Sequence, residues 1–281
     1  MKEFNFNEAT GTIIKYIGED VNVIIPSEID GVPVTKIGDT AFWYCTSIES
    51  ITIPNSVITI GESAFMHCFS LKNINIPNSV TSIGKNVFHS CKSLENVNIP
   101  DGITSIGKYS FMDCKSLKSL TIPNTVTEIG ENAFEGCISL KSINILNSVT
   151  TIGDEAFSYC LSLESITIPD GVTTIGNYTF YNCPSIKNIT IPNSVTNIGR
   201  AAFMFCSSLK SVTLPDGMTS ISDSVFVGCR SLKNINIPDS VKSIGNEAFY
   251  GCEKLRSIVI PDSVKEIGEN AFDDHTSIEK K

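Results

Sequence analysis

A phenylalanine recurs every 23 residues along this chain, at Phe42, Phe65, Phe88, Phe111, Phe134, Phe157, Phe180, Phe203, Phe226, Phe249 and Phe272. A cysteine three residues behind keeps the same step: Cys45, Cys68, Cys91, Cys114, Cys137, Cys160, Cys183, Cys206, Cys229 and Cys252. Glycine follows from Gly38 to Gly268, with Ser222 the one substitution, and proline from Pro54 to Pro261, with Leu146 the exception. No insertion or deletion interrupts the step. A fixed period of this length marks a stacked repeat, whose units contact only their neighbours. The 281 residues therefore read as one solenoid, although length alone would suggest one large or two medium domains.

One unit, Pro100 to Ile122, shows why it folds only in company. Its apolar columns run through Ile103, Ile106, position 110, Phe111, Cys114, Leu117, Leu120 and Ile122. Leu117-x-x-Leu120-x-Ile122 reads as a short strand with these side chains inward and Ser119 and Thr121 outward. Pro-Asp-Gly, Pro-Asn-Ser and Pro-Asp-Ser are turn chemistry. Val80-Thr81-Ser82-Ile83 is β-branched and reads as a second extended segment on another face. Gly84-x-x-Val87-Phe88 suggests one tight helical or 3₁₀ turn that drops Phe inside, with glycine permitting the backbone change. Rungs about 4.8 Å apart would make eleven coils roughly 50 Å long.

Composition narrows the function classes. A net charge of −9 disfavours nucleic acid, which needs a basic surface. No run approaches 18 apolar residues, so no transmembrane helix is expected. Met1 to Glu8 contains no apolar segment of the kind a secretory signal carries.

The cysteines admit three chemistries. Zinc sites usually bring ligands close through C-x₂₋₄-C pairs, and none occurs here. Cysteines on adjacent rungs lie within Cα range of a disulfide, but their side chains would run parallel down the stack. A buried free-thiol ladder serving as a small hydrophobic column is the favoured reading. His67 abuts Cys68 and His89 lies two before Cys91, yet both cysteines are copies of a ten-fold column. Catalysis needs one site where base and oxyanion donors converge. The expectation is a non-enzymatic protein without cofactor, metal or catalytic residues.

The run Ile-Pro-Asn-Ser-Val-Thr-Ser-Ile-Gly-x-x-x-Phe-x-x-Cys-x-Ser-Leu, at Ile76 to Leu94, resembles the BspA-like (treponemal-type) leucine-rich repeat family over about residues 26–278. The resemblance implies a repeat solenoid: a curved, right-handed leucine-rich repeat array with a parallel β-sheet on its concave face and short strands or 3₁₀ turns elsewhere. It also implies surface proteins of host-associated microbes that adhere by binding other proteins. A cell-surface or secreted location would follow, against the missing export signal, which leaves the cytoplasm open.

Residues 4–25 break the period. Phe4 to Phe6, then Thr10-Gly11-Thr12, then Ile13 to Ile17 read as a hairpin, and Val21 to Ile25 as a further strand. Residues 1–25 are taken as an N-terminal β cap, and 26–281 as the solenoid of about eleven coils, the last incomplete. Near Pro26 to Pro33 the spacing runs five residues long. His275 stands where the next cysteine is due, so the C-terminal end reads either as a weak polar cap or as part of a longer array.

Candidate partner-binding residues lie in outward columns. The strand face presents Asn73, Asn96, Ser119, Ser142, Ser165 and Asn188 in one column and Asn75, Asn98, Thr121, Asn144, Thr167 and Thr190 in the next. Beside them, seven of the ten side chains in the series Glu49, Lys72, Glu95, Lys118, Lys141, Glu164, Lys187, Lys210, Lys233 and Arg256 are basic. This bias would steer an acidic partner to that edge. Variation between copies is more informative, because stacking does not dictate it. Trp43, Tyr44, Met66, His67, Phe69, Tyr159, Tyr181 and Phe205 would form an aromatic rim suited to protein contacts. For the first five, packing beneath the N-terminal cap is the competing reading. A protein ligand is thus expected, with a glycan- or surface-adsorbing role or an intracellular interaction scaffold as alternatives.

Overall fold

The computed structural model describes residues 3–281; Met1 and Lys2, included in the expected cap, lie outside the described residues. The chain winds into a β-solenoid of about twelve turns. Each regular coil contributes two strands of two to four residues, such as Ser119–Thr121 and Glu128–Ile129, and each pairs in parallel with its counterpart 23 residues away. Among the described residues there is no helix.

The core is one continuous apolar column. Leu117, Leu120 and Ile122 are buried while Ser119 and Thr121 are exposed, as the alternation requires. Phenylalanines of successive coils stack with ring centroids 5.2–5.7 Å apart from Phe65 to Phe272. Tyr16 extends this ladder at the N-terminal end, 5.3 Å from Phe42 and nearly parallel to it.

The N-terminal residues add to the same stack. Strands β1 (Phe4–Asn7) and β2 (Thr12–Tyr16) form an antiparallel hairpin, and β2 pairs in parallel with Lys36–Ile37. Strand β3 (Asn22–Ile24) pairs with Ser50–Thr52, Asn22 opposite Ser50. That offset exceeds the period by the five extra residues. They are taken up by a small hairpin of Glu28–Ile29 on Val32–Pro33, whose Asp30-Gly31 turn has φ of 52° and 81°, the Asp-Gly signature of a tight hairpin. At the other end Ser277–Lys280 pairs with Ser257–Ile260 at an offset of 20, three residues short of the period.

The segment between glycine and cysteine corrects the expected 3₁₀ turn. Ala41 N–H donates to Gly38, Trp43 N–H to Thr40 and Cys45 N–H to Phe42, closing three overlapping four-residue turns. Alternate groups point along the axis instead: the N–H groups of Thr40, Phe42 and Tyr44 donate to Glu62, Ala64 and Met66 of the next coil. From Thr40 to Cys45 every N–H is thus satisfied, half within the coil and half between coils. The third residue of the first and last of these turns is left-handed, as in a type II turn. One such column runs from Thr40 (φ 55°) to Asn270 (φ 52°), the other from Tyr44 (φ 62°) to Gly251 (φ 74°).

The periodic glycine therefore serves a different purpose from the one expected. Gly61 and Gly153 keep ordinary φ; a Cβ on either would come within 2.6 Å of the backbone nitrogen of Asp39 or Glu131 in the preceding coil. Close approach of two coils is what excludes a side chain. Where the approach is made, the glycine N–H donates to an isoleucine carbonyl, as Gly130 does to Ile106 and Gly245 to Ile221, both at 2.8 Å. At Ser222 the hydroxyl bonds the Ile198 carbonyl in its place, and the sheet of Asn197–Ile198 does not continue into Ser220–Ile221. Leu146 has no such effect, since its carbonyl accepts the Val149 N–H as the prolines accept theirs.

Candidate functional site

The two strand columns lie where the alternation places them. Asn73, Asn75, Asn96, Asn98, Ser119, Thr121, Ser142, Asn144, Ser165, Thr167, Asn188 and Thr190 are all exposed on one face. Around the first four regular coils they line an open groove of about 700 Å³, with Ser50, Thr52 and Asp101 on its walls and the backs of Ile51, Ile74 and Leu120 beneath. Most of these side chains are free to meet a partner. Asn98 is an exception: its amide donates to the Ile76 carbonyl at 2.6 Å and accepts the Ile76 N–H at 2.9 Å. It ties the end of Asn96–Val97 to the coil before it, with which that strand is paired; the face as a whole is four short sheets and not one.

The flanking basic bias is smaller than the sequence suggests. Lys72, Lys118 and Lys187 pair with Glu49, Glu95 and Glu164 of the preceding coil at 2.8, 2.8 and 3.3 Å. Each lysine finds its acid one rung away, a relation that stacking creates. Lys141, Lys210, Lys233 and Arg256 remain without such a pair among the described residues.

The aromatic residues form two clusters on the edge made by the left-handed turns. At the N-terminal end Trp43 and Tyr44 are 53% and 56% exposed, which decides against packing beneath the cap. Tyr44 lies 5.6 Å from Trp43, 5.8 Å from His67 and 5.6 Å from Phe69, and Lys92 Nζ sits 4.5 Å above the Phe69 ring. Met66 is half-buried alongside. Burial, with His67 5.5 Å away, holds the His89 imidazole below its ordinary value, against an opposing pull from Asp113.

The second cluster is Tyr159, Tyr178, Tyr181 and Phe205, with Tyr181 touching the other three at centroid distances of 5.2–5.8 Å. Together with Glu155, Arg200, Ala201, Met204, Ser224 and Glu247, the three tyrosines line a trough of about 400 Å³. Burial, then the bond to Tyr159, pushes the Tyr181 hydroxyl up. Tyr178, Glu155 and Glu247 were not singled out from sequence. They belong to the left-handed column two residues before Phe, and only the fold reveals that this column faces outward. A third, polar groove of about 680 Å³ opens around Ser222 on the other strand face.

All ten cysteines are free, and nine are buried. Each buried thiol donates to the carbonyl of a phenylalanine in the preceding coil, from Cys68 to Phe42 (3.2 Å) through Cys252 to Phe226 (3.3 Å). The column is thus a hydrogen-bonding one as well as an apolar one. The sulfurs of Cys68 and Cys91 face these carbonyls and not His67 or His89. Burial pushes the thiols up, to about 12 at Cys206 and Cys252. Among the described residues no group of three or more His, Cys, Asp or Glu is placed to hold a metal ion, and no helix is long and apolar enough to cross a membrane.

Residues 35–164 and 150–279 match the model of the BspA-type leucine-rich repeat region. No curated protein matches the chain. Among solved structures, a leucine-rich cell surface protein of Faecalibacterium prausnitzii is 33% identical, with 99% of this chain and 92% of that chain covered and a TM-score of 0.59. A leucine-rich repeat protein of Bacteroides ovatus is 27% identical over 99% and 97% of the two chains, with a TM-score of 0.51. One from Eubacterium ventriosum is 25% identical over 96% and 89%, with a TM-score of 0.56.

Proposed function

The chain belongs to the BspA-type leucine-rich repeat family, and from that premise we propose that it is a non-enzymatic module that binds a protein at a cell surface. The observation that carries this reading is the open groove on the strand face, lined by Asn73, Asn75, Asn96, Ser119 and Thr121. These side chains are dispensable to the core, which the inward residues fill, and they offer both donors and acceptors. A shallow, polar, extended surface of this kind fits a folded protein better than a small molecule, which needs a deep and mostly apolar pocket. The similar cell surface protein of Faecalibacterium prausnitzii supports the location. The aromatic cluster at Trp43 and Tyr44 adds the kind of side chain that anchors protein interfaces.

A panel of immobilised extracellular-matrix and cell-surface proteins, run against a glycan array, tests the reading. Binding to a protein, lost on replacing Asn75 and Thr121 with Lys while the melting temperature stays within a few degrees, is the expected result. Signal on the glycan array alone would favour a surface-adsorbing role, for which the repeated hydroxyls of the strand face are the supporting feature.

A further inference from the structure

We propose that the trough between Tyr159 and Glu247 binds an extended peptide segment carrying two basic residues six positions apart. The proposal rests on the protein-binding reading above and names the chemistry of a second contact on the edge of the solenoid.

The trough runs along the axis. Glu155, Tyr178, Ala201, Ser224 and Glu247 are one column on five successive coils. Ala201 and Ser224 are small and buried, so they form a floor, and the two carboxylates close its ends. Tyr159, Tyr181 and Met204 form one wall and Arg200 the other. Aromatic faces beside carboxylates recognise a cation: the ring quadrupole and the full negative charge act in the same sense. No salt bridge engages Glu155 or Glu247 among the described residues, so neither end is already neutralised.

Geometry sets the spacing. Four rung steps of about 4.8 Å separate the two acids by roughly 19 Å, which an extended chain covers in about six residues at roughly 3.3 Å each. An even separation puts both basic side chains on the same side of the strand. Arg200 stands midway and opposes a third basic residue between them.

The test uses the whole chain and a fluorescein-labelled peptide Gly-Lys-Ser-Thr-Ser-Thr-Ser-Lys-Gly, read by anisotropy. Controls replace both lysines with glutamine, or place them side by side. Binding should weaken about tenfold with either control, about tenfold in Tyr178→Ser or in Glu155→Gln with Glu247→Gln, and further as salt rises. Melting curves show that the variants are folded, and Tyr178→Phe, which keeps the ring, should retain binding. Equal affinity for the glutamine peptide, no binding at millimolar peptide, or binding only of a neutral hexasaccharide of N-acetylglucosamine would overturn the proposal. The strand-face variants of Asn75 and Thr121 should leave peptide binding intact, so failure at the trough and failure at the strand face are read separately.

Discussion

Thr40 is a β-branched residue held at φ 55°, where its equivalents at Asn86, Asn132 and Asn270 have a side chain that tolerates the left-handed region. Thr40→Asn should therefore stabilise the fold by about 1 kcal/mol, seen as a higher urea midpoint with an unchanged slope. No stabilisation would show that the stack removes the strain at this position. The thiols make a second residue-scale prediction. Unfolded thiols ionise near their ordinary value of 9.0, whereas the folded ones at Cys206 and Cys252 hold their protons to about 12. The unfolded state thus binds fewer protons across that window, and stability falls as pH rises from 9 towards 12 while remaining level below it. At pH 10 each fully buried thiol contributes roughly 1 kcal/mol to the loss, measurable as a falling melting temperature. An impermeant maleimide at pH 7.5 should label the native protein at the half-buried Cys45 alone and all ten thiols after unfolding; several rapid native equivalents would contradict the buried ladder.

Each strand here is too short to hold its own register, so the pairing between coils is the unit of stability at the scale of the element. The glycine column sets how closely those coils approach. Gly153→Ala should cost about 1–3 kcal/mol, because its Cβ would meet the Glu131 backbone nitrogen at 2.6 Å and no flexible side chain can yield. Ser222→Gly should do the reverse, joining Ser220–Ile221 to Asn197–Ile198 through a new N–H to the Ile198 carbonyl. Slower amide exchange at residue 222 and a higher melting temperature are the expected readouts; an unchanged exchange rate would place the cause of the break elsewhere. The strands, their faces and the outward Asn, Ser and Thr columns were legible from Leu117-x-x-Leu120-x-Ile122 because alternation is a local property. The left-handed turns were not, since nothing in Thr40, Tyr109 or Glu155 announces a positive φ; only the alternating bonds within and between coils impose it.

For the whole molecule, nearest-neighbour stacking makes the coil the unit that can be removed. Deleting residues 115–137, one full period, should leave a folded protein with an unchanged far-ultraviolet spectrum and a moderately lower melting temperature. Deleting half of that span should abolish cooperative melting, since it sets every later inward residue against an outward one. The sequence by itself determined the repeat, the inward columns, the strand face and the family resemblance, because a translational stack copies each local choice at every rung. What the tertiary structure alone decided is everything that depends on which residue sits one rung away. It pairs Glu49 with Lys72, bonds Cys68 to the Phe42 carbonyl, interrupts a sheet at Ser222, and gathers Glu155, Tyr178 and Glu247 into one trough. Residues 23 or 26 positions apart become neighbours only when the coils are laid on one another, and the chemistry of the surface is written in those contacts.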